Sequence, residues 1–144
     1  ALWRRHVDAA HALLAQVGLA ERAQVAAATL AYGDLKRLEF ALALATGPRL
    51  LLMDEPTAGM APGERTALMR LVVELAAARR MAVLFTEHSM DVVFAHADRI
   101  IVLARGRLIA EGGPAAIRDH PDVQQVYFGS GKTFEKSAAG KASA

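Results

Sequence analysis

Apolar positions change their spacing along the 144-residue chain, and each change marks an element. Trp3, Val7, Ala10, Leu14 and Val17 recur every three or four residues, which predicts an amphipathic helix over Leu2–Val17. Gly18 is placed to stop that helix, with Leu19 able to pack back on its last turn. Glu21–Thr29 is alanine-rich and weakly patterned, a connector. Beyond a short loop, Leu30-Ala31-Tyr32-Gly33-Asp34, the pattern predicts a helix from about Leu35 to Ala45. It is polar early and almost wholly apolar from Phe40 onward, so its second half is expected to be buried. Thr46-Gly47-Pro48 ends it.

Two later stretches are apolar without alternation, the mark of strands covered on both faces. The first is Leu50–Met53, followed at once by Asp54, Glu55 and Pro56. Proline cannot continue a central ladder, so the two acids sit at the strand's carboxyl end. The second is Ala82–Phe85, followed by Thr86, Glu87 and His88. Between them Pro62 opens a helix whose buried stripe is Leu68, Leu71, Val72, Leu75 and Ala76, with Arg79-Arg80 at its end. Strand, helix and strand make a parallel βαβ unit. Both polar strand ends then share the edge at which open α/β sheets bind ligands. Ser89 can cap a helix to about His96, and Arg99–Ala104 and Arg107–Glu111 flank Arg105-Gly106 as a hairpin. Gly112-Gly113-Pro114 and Pro121 open two short helices, and residues 130–144 read as a disordered tail of Gly, Ser, Lys and Ala.

Composition narrows the class. With 53% hydrophobic and 22% charged residues the chain is globular, and no apolar run reaches the length a membrane-spanning helix needs. The absence of cysteine excludes disulfides and thiolate metal sites. A net charge of +2, with basic residues paired only at Arg4-Arg5, Lys36-Arg37 and Arg79-Arg80, reads as solvated helix faces and not as a nucleic-acid footprint. His6, His11, His96 and His120 lack polar company and read as surface residues. The chain opens on Ala1, just before a helix, and the expectation is that an amino-terminal portion precedes it.

Taken alone, Asp54 and Glu55 are as readily a solvated turn as a site. Their company decides. The loop Leu30–Asp34, the strand end Leu50–Pro56, the strand end Leu84–Ser89 and the hairpin stand in an order that resembles the ATP-binding subunits of ABC transporters. The resemblance covers about Leu2–Gly129, and the string from Tyr32 to Glu64 is closer still to the branched-chain amino-acid importer group. It implies an α/β fold, part of the P-loop NTPase (ABC cassette) class, with a parallel sheet core and a carboxyl-terminal β-hairpin. Residues 1–47 would be the helical signature subdomain and residues 48–129 the second half of the nucleotide-binding core.

The resemblance also implies chemistry. Asp54 would hold Mg²⁺, a hard ion that prefers oxygen ligands. Glu55 would act as general base on the attacking water, with His88 contacting that water and the γ-phosphate. Leu30, Ala31, Tyr32, Gly33 and Asp34 would form the signature loop and present helix-terminal N–H groups to ATP on a second subunit. ATP and Mg²⁺ are the implied cofactors. A second ATP-binding subunit and transmembrane permease subunits are the implied partners, with neither nucleic acid nor direct membrane insertion. The implied location is cytoplasmic, peripheral on the inner face of the cell membrane.

The pattern is not complete. Ala31 stands where serine is usual, and Ala61 where asparagine or aspartate is usual. No GxxxxGK[ST] precedes the signature loop. Gly129-Ser130-Gly131-Lys132-Thr133 supplies GKT, but Val126 occupies the place of the leading glycine, and the string reads as tail. The expected function is ATP hydrolysis that powers import of amino acids, branched-chain ones first. A soluble ABC ATPase of translation or repair, or a silent fragment that pairs with a complete cassette, are the alternatives.

Overall fold

The computed structural model describes residues 2–128, which form two compact units dividing between His96 and Ala97. In the first, helix α1 (Leu2–Gln16) leads through two 3₁₀ turns, Ala20–Arg22 and Ala27–Thr29, to α2 (Tyr32–Ala45). Strand β1 (Leu50–Asp54), α3 (Pro62–Arg79), β2 (Ala82–Thr86) and α4 (Met90–His96) follow. The second unit holds β3 (Ile100–Ala104), β4 (Arg107–Gly112), α5 (Pro114–Arg118) and α6 (Pro121–Phe128).

Helix α1 ends as its glycine predicts. Gly18 has φ +76°, its N–H donates to the Ala15 carbonyl, and the Leu19 N–H reaches back to Leu14 at 2.7 Å. Val17 and Leu19 are thereby driven into a core shared with Phe40, Ala41, Leu44, Leu51, Val72 and Met81. The amino-terminal part of the α1 stripe is not covered, and Trp3 is 77% exposed.

Strands β1 and β2 pair in parallel, with Leu50 opposite Ala82 and Asp54 opposite Thr86. The expectation that both faces are covered does not hold among the described residues. Leu51, Met53 and Val83 face the helices, whereas Leu50, Leu52 and Leu84 lie on an open face. The run is continuous because of its composition, but α1, α2 and α3 supply packing on one side only. In α2, Leu42 and Ala45 are likewise exposed, so only Phe40, Ala41 and Leu44 of its apolar half are buried. The buried stripe of α3 is Leu68, Met69 and Val72, with Met69 widening the expected face.

Two of the arginines read as solvated have structural work. Arg37 donates to the Val17 carbonyl at 3.5 Å, and Arg79 donates to the Leu44 carbonyl at 3.3 Å and to Gln16 Oε1 at 2.7 Å. Each satisfies a carbonyl left open at a helix end. His120 also departs from expectation: it is half-buried, and its Nδ1 is sealed off without a partner.

In the second unit, β3 and β4 pair antiparallel about Arg105 (φ +49°) and Gly106 (φ +74°). Two successive positive φ values make the turn that matches strand twist in a two-residue hairpin.

Candidate functional site at the strand ends

The carboxyl ends of β1 and β2 bring the sequence-selected acids and histidine together. Asp54 ends β1 on the open face, and its Oδ1 accepts a hydrogen bond from Thr86 Oγ1 at 2.5 Å. Glu55 follows with φ +44°, a left-handed conformation costly for a residue with a side chain. Its N–H is fixed by the Thr86 carbonyl at 3.1 Å and by Thr86 Oγ1 at 3.1 Å. The reversal turns its carboxylate toward the neighbouring strand end, where Oε1 lies 2.8 Å from His88 Nε2. A carboxylate at that distance sets the imidazole tautomer and orientation.

Asp54 is exposed and keeps one carboxylate oxygen clear of Thr86. No group of three His, Asp or Glu suited to a metal cage occurs among the described residues. An exposed carboxylate with a free oxygen fits an ion such as Mg²⁺, which is held by one or two carboxylates with phosphates and waters completing its shell.

The residues expected to form the signature loop are placed differently from expectation. Tyr32, Gly33 and Asp34 are not loop but the first turn of α2, with Ala31 as its N-cap in extended conformation. The turn forms early because Ala31 and the residues after it need no special φ, and the Leu35 N–H closes on the Ala31 carbonyl at 2.9 Å. Ala31 offers no side-chain cap, so the first-turn N–H groups point outward from the helix end. Gly33 is buried, and a Cβ there would lie 2.9 Å from Glu64 Oε1. Leu30 is half-buried. Lys36 lies over the Tyr32 ring and donates to Glu39 at 2.9 Å, a hydrogen bond that holds its ammonium above the usual lysine range.

The turn after Glu55 is tied to this helix and, through Arg65, to Ser89 beside the histidine. Tyr32 Oη donates to the Ala58 carbonyl at 3.1 Å, and Gly59, at φ +75°, lets the chain pass close to the Tyr32 ring. Arg65 donates from Nε to the Met60 carbonyl at 2.8 Å and from Nη1 to Ser89 Oγ at 3.1 Å. Ser89 does stand just before α4, its carbonyl accepting from the Val93 N–H, while its hydroxyl serves Arg65. Ala61 leaves α3 without a hydroxyl or carboxylate cap, and Glu64 Oε2 compensates from inside by accepting the Ala61 N–H at 3.3 Å.

Comparison with known proteins finds relatives along most of the chain. The model described as "ABC transporter" matches residues 4–58, and that described as "Branched-chain amino acid ATP-binding cassette transporter" matches residues 107–133. The high-affinity branched-chain amino acid transport ATP-binding protein BraF of Pseudomonas aeruginosa is 44% identical over 116 residues, 81% of this chain and 46% of BraF. The likeness is to the ATP-binding cassettes of ABC transporters, over most of this chain. LivG of Escherichia coli K12, of the same description, is 42% identical over 123 residues, 85% of this chain and 48% of LivG. A crystal structure of the ADP conformation of MJ1267, an ATP-binding cassette of an ABC transporter, superposes with TM-score 0.78 at 33% identity, over 85% of this chain and 50% of that one. The chain thus spans about half the length of the curated relatives it matches. The fold is that of the P-loop NTPase cassettes. The Gly129–Thr133 string and the expected tail lie outside the described residues; the string falls within the segment matched by the branched-chain model.

The missing side-chain cap at Ala31 has a measurable consequence. Ala31→Ser places a hydroxyl at an N-cap already in the required conformation, so the isolated chain gains ~0.5–2 kcal/mol of stability. Urea unfolding followed by circular dichroism reads the shift; an unchanged midpoint would place the added hydroxyl in solvent.

Proposed function

We propose that this chain forms part of an ATP-hydrolysing subunit that powers import of amino acids, branched-chain ones first, through an ABC transporter. The observation that carries the reading is the Glu55–His88 contact at 2.8 Å, held at the strand-end edge beside Asp54. Glu55 accepts the proton of the attacking water, because a carboxylate fixed within hydrogen-bond reach is a general base. His88 orients that carboxylate and contacts the water and the transferred phosphoryl group. Asp54 holds Mg²⁺, whose bound form supplies charge neutralisation at the phosphates. The first turn of α2, with Leu30, Ala31, Tyr32, Gly33 and Asp34, presents N–H groups to ATP on a second subunit.

Helices α1 and α2 serve as the signature subdomain and the strands as the nucleotide-binding half. No helix among the described residues is long and apolar enough to cross a membrane. The location that goes with this reading is peripheral, on the cytoplasmic side of permease subunits.

Phosphates need a cradle that these 144 residues do not supply, since no GxxxxGK[ST] occurs in them. The purified chain alone accordingly gives no phosphate release from Mg-ATP above background. Turnover by the chain alone, abolished by Glu55→Gln, would assign the cradle to Lys132 and its neighbours. Joined behind the amino-terminal half of BraF, the same chain hydrolyses ATP and restores leucine uptake to Pseudomonas aeruginosa lacking BraF. Hydrolysis without uptake would remove the branched-chain assignment and leave the ATPase.

A further inference from the structure

Glu55 and His88 are too exposed to be held by packing: their side chains are 44% and 81% accessible. Their approach has to come from the backbones that carry them. Glu87, which the reaction itself does not use, joins those backbones. One carboxylate oxygen, Oε1, accepts the Thr57 N–H at 3.0 Å and the Thr57 hydroxyl as well. The other, Oε2, accepts the N–H of His88 at 3.2 Å and of Ser89 at 3.4 Å. Thr57 is the buried polar residue of the described core, and Glu87 accepts the bond from its hydroxyl. All four bonds are charge-assisted, the stronger class.

We propose that Glu87 is the positioning residue of this site: it clamps the turn after Glu55 to the loop carrying His88 and so sets the carboxylate–imidazole distance. The inference rests on the reading of Glu55 and His88 as the water-activating pair. A carboxylate is required because each oxygen serves a different strand end. An amide offers one acceptor oxygen and presents an NH₂ group to donors on the other side. A shift of about 1 Å in such a pair costs on the order of 10²-fold in rate.

The experiment uses the 144-residue chain and the ring ¹⁵N signals of His88. Glu55→Ala defines the spectrum of the released ring. Glu87→Ala moves the His88 signals to that spectrum, and Glu87→Gln moves them most of the way, while amide signals of α2 stay in place. His88 signals unchanged in a folded Glu87→Gln chain would overturn the proposal; that variant also carries the test if Glu87→Ala does not fold. Thr57→Val, which removes one of the four bonds, shifts the ring less than either. The readout needs no ATP, so it stands apart from the fate of the ATPase reading, which Glu55→Gln decides in the fused protein.

Discussion

Glu55→Gln, made in the chain joined behind the amino-terminal half of BraF, lowers steady-state ATP turnover by ~10²–10⁴-fold and leaves ATP binding in place. The amide keeps the shape of the carboxylate and cannot take a proton from water. Thr86 holds the Glu55 backbone through its carbonyl and hydroxyl, neither of which the substitution touches, so the left-handed turn persists. The glutamine carbonyl can still accept from His88 Nε2, which keeps the ring nearby. Phosphate release and nucleotide affinity, measured on one preparation, separate the two effects. Unchanged turnover would hand water activation to another group, with His88 first in line.

A larger structural effect is expected at Leu44. Leu44→Ala lowers unfolding free energy by ~2–5 kcal/mol, since the side chain is 1% exposed and the site has few ways to collapse. Leu44 lies among Val17 of α1's end, Phe40 and Ala41 of its own helix, Leu51 of β1 and Val72 of α3. Every layer of the first unit therefore loses contact with it. A domain's whole stability is ~5–15 kcal/mol, so the variant sits close to the folding threshold. Denaturant unfolding reads this as a fall in midpoint at constant slope. A loss under ~1 kcal/mol would mean the surrounding helices close the gap.

Periodicity made the order and type of the elements legible. Three-and-four spacing marked α1 and α3, continuous runs marked β1 and β2, and Arg105-Gly106 marked the hairpin. Glycine at the end of α1 behaved as its missing Cβ requires. What periodicity cannot report is which faces find a partner. Leu51 and Leu52 are the same residue type one position apart, yet one is 8% exposed and the other 66%. Nothing in that dipeptide distinguishes them; only the placement of α1, α2 and α3 does. The start of α2 lies earlier than the pattern predicts because Tyr32-Gly33-Asp34 has loop-like propensity, whereas Ala31 takes the N-cap position in extended conformation, without a side-chain cap, and the helix begins at Tyr32.

The site was legible as far as its chemistry is carried by adjacent residues. Asp54, Glu55 and His88 stand at strand ends, and a parallel pair brings strand ends together. Glu87 was adjacent to His88 but gave no signal of its own. Its partner Thr57 lies 30 residues earlier, and a bond across that span has no periodic trace. Arg37 and Arg79 are hidden in the same way: each serves a carbonyl on another segment. A basic residue on a helix looks solvated until the neighbouring helix end is known.

The parallel pairing of β1 with β2 also gives the site a place in time. The hairpin β3–β4 closes across the two residues Arg105 and Gly106, a local event on the microsecond scale. Bringing Glu55 to His88 closes a span of 33 residues, which costs roughly 2 kcal/mol more in chain entropy. That closure is rewarded only once α3 has docked and Leu51, Val72 and Met81 have met. By sequence separation the acid–histidine contact is the costlier closure of its unit, and the turn at Gly106 the cheaper one of the other.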